Sequence, residues 1–347
     1  MTSQTPSLSD LGWSAFFLGQ LSLDELETLR PLRLTGVERD RATGLGPDGA
    51  MTLSYPPTLS AGETAVGDWV LADPDAQRIV RVLHRRSEVA RKAAGTDNRR
   101  QLIAANVDTL FLVTSCNADF NVARLERFLA LALDAGAVPV VVLTKADLAD
   151  DAEDYAAQAR AISPRIADVI ALDATRPEAL GPLAPWLGKG QTVAFMGSSG
   201  VGKSTLIAGL TGEAIATQAI RKDDAKGRHT TTSRALLRTA SGAMVIDMPG
   251  MREVALQDVA EGIAEVFDDI VALAQGCRFR DCGHDSEPGC AVQAAVADGR
   301  LDPARLARWQ KLRREDALNA EAAHERRTRE RAFSRVVRDA VDWKGRT

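Results

Sequence analysis

Residues 192–205, TVAFMGSSGVGKST, constrain this chain more than any other segment. A β-branched apolar run leads into G-x-x-x-x-G-K-[ST], and a helix-compatible run (TLIAGLTG) follows. The pattern therefore predicts a strand, a phosphate-cradling loop and a helix in that order. Gly197, Gly200 and Gly202 free the backbone to turn N–H groups inward, with Ser198, Ser199 and Val201 between them. Lys203 supplies a positive charge to β- and γ-phosphates. Ser204 offers a hydroxyl to Mg²⁺, and Thr205 continues into a helix whose N-terminus adds partial positive charge. A glycine-rich strand–helix turn without a ligand is the alternative that the full motif and both flanks argue against.

The surroundings fit that loop. Short apolar runs at 109–114 (TLFLVT), 138–144 (VPVVVLT), 168–172 (DVIAL) and 243–247 (AMVID), with helical patterns such as VARLERFLALALDAG between some of them, predict a mostly parallel sheet covered on both faces. The run at 138–144 ends in TKAD. There the Asp147 carboxylate can accept hydrogen bonds from N1–H and the exocyclic amine of guanine together, a donor pair that adenine lacks. Lys145 can lie along the base, Ala146 spaces the turn, and Thr144 occupies the place of asparagine in the N-K-x-D guanine-reading element that TKAD resembles. Residues 247–250 (DMPG) fit D-x-x-G, in which Asp247 holds Mg²⁺ through water and the Gly250 N–H senses a γ-phosphate. GRHTTTS (227–233) lies in the first-switch position, and one of Thr230, Thr231 and Thr232, with Thr231 as the named candidate, is expected to reach the metal. The base reader precedes the phosphate loop, the reverse of the usual order, so the domain is circularly permuted. Permutation is allowable because domain termini often lie close together.

Outside this core the texture changes. LGWSAFFLGQLSLDELETL near the N-terminus reads as a helical extension, and residues 31–87 show short apolar runs punctuated by turns, which predicts a small β-barrel or sandwich. Beyond 253 the chain reads as helices around Cys277, Cys282, His284 and Cys290. Three thiolates and an imidazole fill a tetrahedral Zn²⁺ shell and leave no open position, so that site is expected to be structural. Cys116 stands apart and is expected to pack. Tyr55 and Trp69 are the aromatics available to the barrel for stacking, with Trp69 the better core candidate. Formal net charge is only −4, yet residues 81–100 carry seven Lys/Arg against two Asp/Glu, and 300–347 carry fourteen against eight. Those segments are either polyanion contacts or solvated faces. No apolar run approaches the ~20 residues a bilayer requires, and the start lacks a secretory pattern, so a cytoplasmic protein is expected.

Taken together, GDWV (67–70), QLIAANVD (101–108), the phosphate loop, GRHTTT, DMPG and CRFRDCGHDSEPGC resemble the ribosome small-subunit-dependent GTPase A family, RsgA-type, from roughly residue 30 to 315. The resemblance implies an N-terminal OB-fold, a permuted α/β P-loop GTPase domain and a mostly helical zinc domain. It divides the chain at 1–30, 31–95, 100–255 and 256–347, the last with a basic tail. It also implies a monomer that cycles between GTP and GDP with Mg²⁺ and one structural Zn²⁺. Its partner would be the small (30S) ribosomal subunit with its 16S rRNA, which stimulates hydrolysis in late subunit maturation. Met251 stands where many GTPases keep a water-orienting glutamine. His229 is therefore the candidate to orient or deprotonate water beside Lys203. Two other readings stay open: a nucleotide-regulated RNA-binding module with negligible catalysis, and a P-loop ATPase or small-molecule kinase.

Overall fold

The computed structural model describes residues 6–92, 100–212, 235–248 and 259–321. The chain forms two compact units, one from residues 1–90 and 102–253, the other from 91–101 and 254–347.

In the first unit, five strands close a barrel in the order β1-β2-β3-β5-β4: β1 (Arg30–Val37), β2 (Arg41–Gly46), β3 (Gly49–Ser54), β4 (Trp69–Asp73) and β5 (Arg78–Val82). Alternate residues turn inward, and Leu32, Leu34, Ala42, Leu53, Val70, Ala72 and Ile79 fill the interior. Trp69 is fully buried, while Tyr55 packs partly against this core and bonds the Thr64 hydroxyl. The N-terminal segment is helical only in two short pieces, α1 (Ala15–Leu18) and α2 (Leu23–Thr28). Gly12 at φ +90° and the turn after Leu18 divide the helical extension into these pieces. Ser22 and Glu25 form a capping box on α2, and Glu25 also holds Arg81 of β5 at 2.7 Å.

Strands β6 (Glu88–Lys92) and β7 (Arg100–Ala105) form a two-stranded ribbon. The chain then enters a six-stranded sheet built from β8 (Thr109–Ser115), β9 (Val138–Thr144), β10 (Asp168–Ala171), β11 (Thr192–Gly197), β12 (Leu236–Arg238) and β13 (Met244–Asp247). Their order is β10-β9-β8-β11-β13-β12, parallel except for edge strand β12. Every residue of β8 and β11 is buried, as the continuous apolar runs require of strands covered on both faces. The connecting helices are α3 (Val122–Asp134), capped by the Asn121 side chain, α4 (Ala152–Arg160) and α5 (Lys203–Thr211).

The second unit contains α6 (Ala260–Val266), α7 (Asp268–Ala274), α8 (Ala291–Ala297) and a helix at 303–321, here α9. Phe267, Ile270, Val292, Leu306, Trp309 and Leu312 are buried in it, and Arg305 of α9 stacks over Phe267 while pairing with Asp269 at 2.8 Å. Among the described residues, no helix is long and apolar enough to cross a membrane.

Candidate nucleotide site and metal centre

The parallel register brings the C-terminal ends of four strands to one edge of the sheet. Ser115 lies opposite Thr144, Gly197 opposite Val113, and Asp247 opposite Phe195. This is the edge at which open α/β sheets bind ligands. Gly197 ends β11 against β8 so closely that a Cβ there would sit 2.2 Å from the Val113 carbonyl. Gly200 and Gly202 adopt φ +81° and +97°, and α5 starts directly at Lys203. Ser199, Ser204 and Thr205 are exposed and Ser198 half-buried, so the loop's polar atoms face solvent. The Lys203 ammonium folds back onto the carbonyls of Gly197 at 2.7 Å and Ser198 at 2.5 Å. Burial raises the half-buried Asp247 carboxyl above its ordinary pKa, and the Lys203 charge opposes that shift. A cation facing a partly desolvated carboxylate beside an open glycine loop suits a bound phosphate and its divalent ion.

The TKAD turn touches this loop. Thr144 is fully buried, and its hydroxyl donates to the Val201 carbonyl at 2.6 Å, with the Thr114 carbonyl at 3.2 Å. Lys145, at φ +57°, donates from Nζ to the Gly200 carbonyl at 3.0 Å. Asp147 is exposed within the turn Ala146–Leu148. Residues that the chain visits 50 or more positions apart thus share one edge of the sheet. A hydroxyl has one proton, so Thr144 ties the turn to the loop instead of pointing at a base. Thr144→Val keeps the shape and leaves the Val201 carbonyl without its donor, costing about 1–3 kcal/mol. Roughly tenfold weaker GTP binding is expected by fluorescence titration. Unchanged affinity with unchanged melting would show that the tie is idle.

His229, Thr231 and the rest of 227–233, together with Gly250 and Met251, lie outside the described residues, as do residues 322–347 of the basic tail.

In the second unit, the metal-binding atoms of Cys277, Cys282, His284 and Cys290 all lie within 4.8 Å of one another. His284 Nδ1 is 3.5 Å from Cys277 Sγ and 3.4 Å from Cys290 Sγ, and the two sulfurs are 3.9 Å apart. A tetrahedron with metal–sulfur bonds of ~2.3 Å has edges of about 3.8 Å, so the four could hold one zinc-sized ion. Burial, and then the nearby Arg313 charge, lowers the His284 pKa, which favours the neutral imidazole a metal needs. Sequence spacing did not reveal the supports. His284 sits at φ +60°, its carbonyl accepts from Gln293 at 2.6 Å and Gln310 at 3.2 Å, and its ring packs on Trp309. Cys116 is buried just after β8 and belongs to no such cluster among the described residues.

The RsgA GTPase family model matches residues 82–257. A "Small ribosomal subunit biogenesis GTPase RsgA" of Mesorhizobium japonicum is 53% identical over 92% of each chain. The chain belongs to the RsgA GTPase family. An "RsgA 2" protein of the same description from Vibrio vulnificus is 47% identical over 97% of this chain and 96% of its own. YjeQ from Thermotoga maritima has the same fold, with a TM-score of 0.60 at 24% identity over 82% of this chain and 97% of that one. So does YloQ, a circularly permuted GTPase, with a TM-score of 0.57 at 23% identity over 82% and 93%. In this RsgA-family chain the closed barrel stands where an OB-fold is expected, and the order of β9 before β11 is the permutation expected from the motifs. The family identifies the chain as a GTP-hydrolysing enzyme, and the ATPase or kinase reading is not favoured.

Proposed function

We propose that this GTPase acts in late maturation of the small ribosomal subunit, binding the subunit through its 16S rRNA and hydrolysing GTP when the contact is correct. The observation that carries the nucleotide part is the joining of TKAD to the phosphate loop through Thr144 and Lys145. The subunit enters through the relatives' names. On this reading, Asp147 accepts from guanine, and the Lys203 charge and the loop N–H groups hold the phosphates. Ser204, Asp247 and Thr231 would hold Mg²⁺, which when bound neutralises charge developing on the transferred phosphoryl group. Cys277, Cys282, His284 and Cys290 would hold one Zn²⁺. The division at 30, 95, 255 and the basic tail, a monomeric state and a cytoplasmic location belong to the same reading.

Co-sedimentation with purified subunits tests it. Binding to 30S but not 50S subunits is expected with a non-hydrolysable GTP analogue and weaker binding with GDP. Equal binding to both subunits would overturn it. Phosphate contacts make up much of any such interface, so binding should fall steeply with salt. His229→Ala is expected to abolish subunit-stimulated turnover, measured by phosphate release, with GTP affinity kept within several-fold. An unaltered stimulated kcat removes His229 from the mechanism. A module without catalysis would show no stimulated hydrolysis in the wild-type chain.

A further inference from the structure

Two of the motifs singled out above, GDWV and QLIAANVD, meet at one buried cation. Arg33 on β1 is 1% exposed and pairs with no carboxylate through any hydrogen bond that its guanidinium makes here. Its Nε donates to the Gly67 carbonyl at 3.3 Å, Nη2 to the Asn106 carbonyl at 3.1 Å, and Nη1 to the Leu11 carbonyl, while the group lies over the Trp69 ring. Burial pulls its pKa down to about 10, against the pull of Asp108 and Asp68, so it stays charged at neutral pH. A buried cation is costly unless its surroundings are fixed.

Those surroundings are fixed from several sides. Gly67, at φ +93°, approaches so closely that a Cβ would lie 2.2 Å from the Ala105 carbonyl and 3.2 Å from Ile246, the neighbour of Asp247 on β13. Asn106, at φ +56°, donates from Nδ2 to the same Gly67 carbonyl at 2.9 Å. Two residues on, Asp108 accepts from the Thr192 N–H at 2.8 Å, at the start of the strand that ends in the phosphate loop. On the third side, a Cβ at Gly12 would meet Arg33 Nη1 at 2.7 Å and the Gly190 carbonyl at 2.8 Å, and Asp10 holds Lys189 at 2.7 Å.

We propose that Arg33 is a positioning residue for stimulated hydrolysis, setting the barrel and the N-terminal segment rigidly against the starts of the strands that carry the phosphate loop and Asp247. A partner gripping the barrel then acts on the nucleotide edge through β11 and β13. The inference rests on the proposed dependence on the small subunit.

Arg33→Met, Arg33→Lys and Gly12→Ala test it, the last crowding the guanidinium from outside the barrel. Below the melting temperature of each variant, GTP affinity and basal kcat are expected within about threefold of wild type. The ratio of 30S-stimulated to basal kcat is expected to fall tenfold or more in Arg33→Met, and less in Arg33→Lys. Parallel losses of basal and stimulated rate, or an unchanged ratio, overturn the proposal. Without any partner, spin labels at Asp48→Cys and Asp150→Cys should give one narrow distance in the parent chain and a broadened one with Arg33→Met, or with Gly12→Ala if the methionine variant does not fold. Equal widths overturn the proposal even if 30S subunits stimulate nothing, an outcome that by itself would remove only the subunit reading.

Discussion

Asp147→Asn is expected to transfer the nucleotide preference of this enzyme from GTP to xanthosine triphosphate. A carboxylate accepts from N1–H and the exocyclic amine of guanine, whereas an asparagine amide turns one acceptor into a donor. With GTP that donor faces the amine, and the loss of a charge-assisted bond costs ~1.5–3 kcal/mol or more. At about 1.4 kcal/mol per factor of ten, GTP binding should weaken by roughly 10–150-fold. Xanthine carries a carbonyl where guanine carries the amine, so the same amide donates to it and the pairing is restored. The position makes this a clean experiment. Asp147 is exposed in a short turn, and its replacement leaves no buried group unpaired. Thr144 cannot compensate, since its hydroxyl is committed to the Val201 carbonyl. Competition titration of GTP against xanthosine triphosphate gives the answer, with melting temperature as the control for folding. A variant that still prefers GTP would place the base somewhere other than against Asp147.

How much of this was legible beforehand depends on how local each feature is. Strands β8 and β9 were readable because both faces are covered, so TLFLVT and VPVVVLT carry no polar alternation to confuse with a helix. The phosphate loop was readable because its glycines, lysine and hydroxyl are consecutive. The four metal-type ligands fall within fourteen residues and were readable for the same reason. The tie from Thr144 to the loop was not, since it joins positions 57 apart and depends on which way one hydroxyl turns. Arg33 was hidden more thoroughly. In RPLRLTG an arginine between apolar residues reads as the solvent face of a strand. It is buried because Leu11, Gly67 and Asn106 converge on it from three distant stretches of chain. The N-terminal extension is helical as expected, but in short pieces whose ends the pattern alone does not mark. Its apolar residues do reach a core, with Leu11 and Phe17 buried and Trp13 edge-on to Trp69 at 4.8 Å. The glycines, however, break the segment into pieces too short to be helices by themselves.

Removing the Zn²⁺ proposed at Cys277, Cys282, His284 and Cys290 is expected to unfold the second unit and spare the first. Helices α6, α7 and α8 have seven residues each, well below the length at which a helix persists alone. Between α7 and α8 the chain follows turns and bends for sixteen residues, 275–290, and all four candidate ligands lie on that stretch. The cluster is also wired into its helices. Cys290 caps α8 by accepting from the Gln293 N–H, and Gln310 of α9 grips the His284 carbonyl. Zinc in comparable small sites supplies apparent binding energies of about 10–16 kcal/mol at neutral pH, as large as a whole domain's usual margin of ~5–15 kcal/mol. Chelation should therefore abolish protection from hydrogen exchange in α8 and at 303–321, together with part of the helical circular dichroism. Readdition of Zn²⁺ should restore both. Thr144, Asp147 and Lys203 lie in the other unit, so GTP affinity should change by less than about threefold. Protection of α8 that survives in protein shown by elemental analysis to carry no metal would mean that packing alone folds this unit. The four residues would then be side chains of an ordinary core. Loss of GTP binding in step with the metal would instead mean that the phosphate loop depends on a unit with which it shares no ligand.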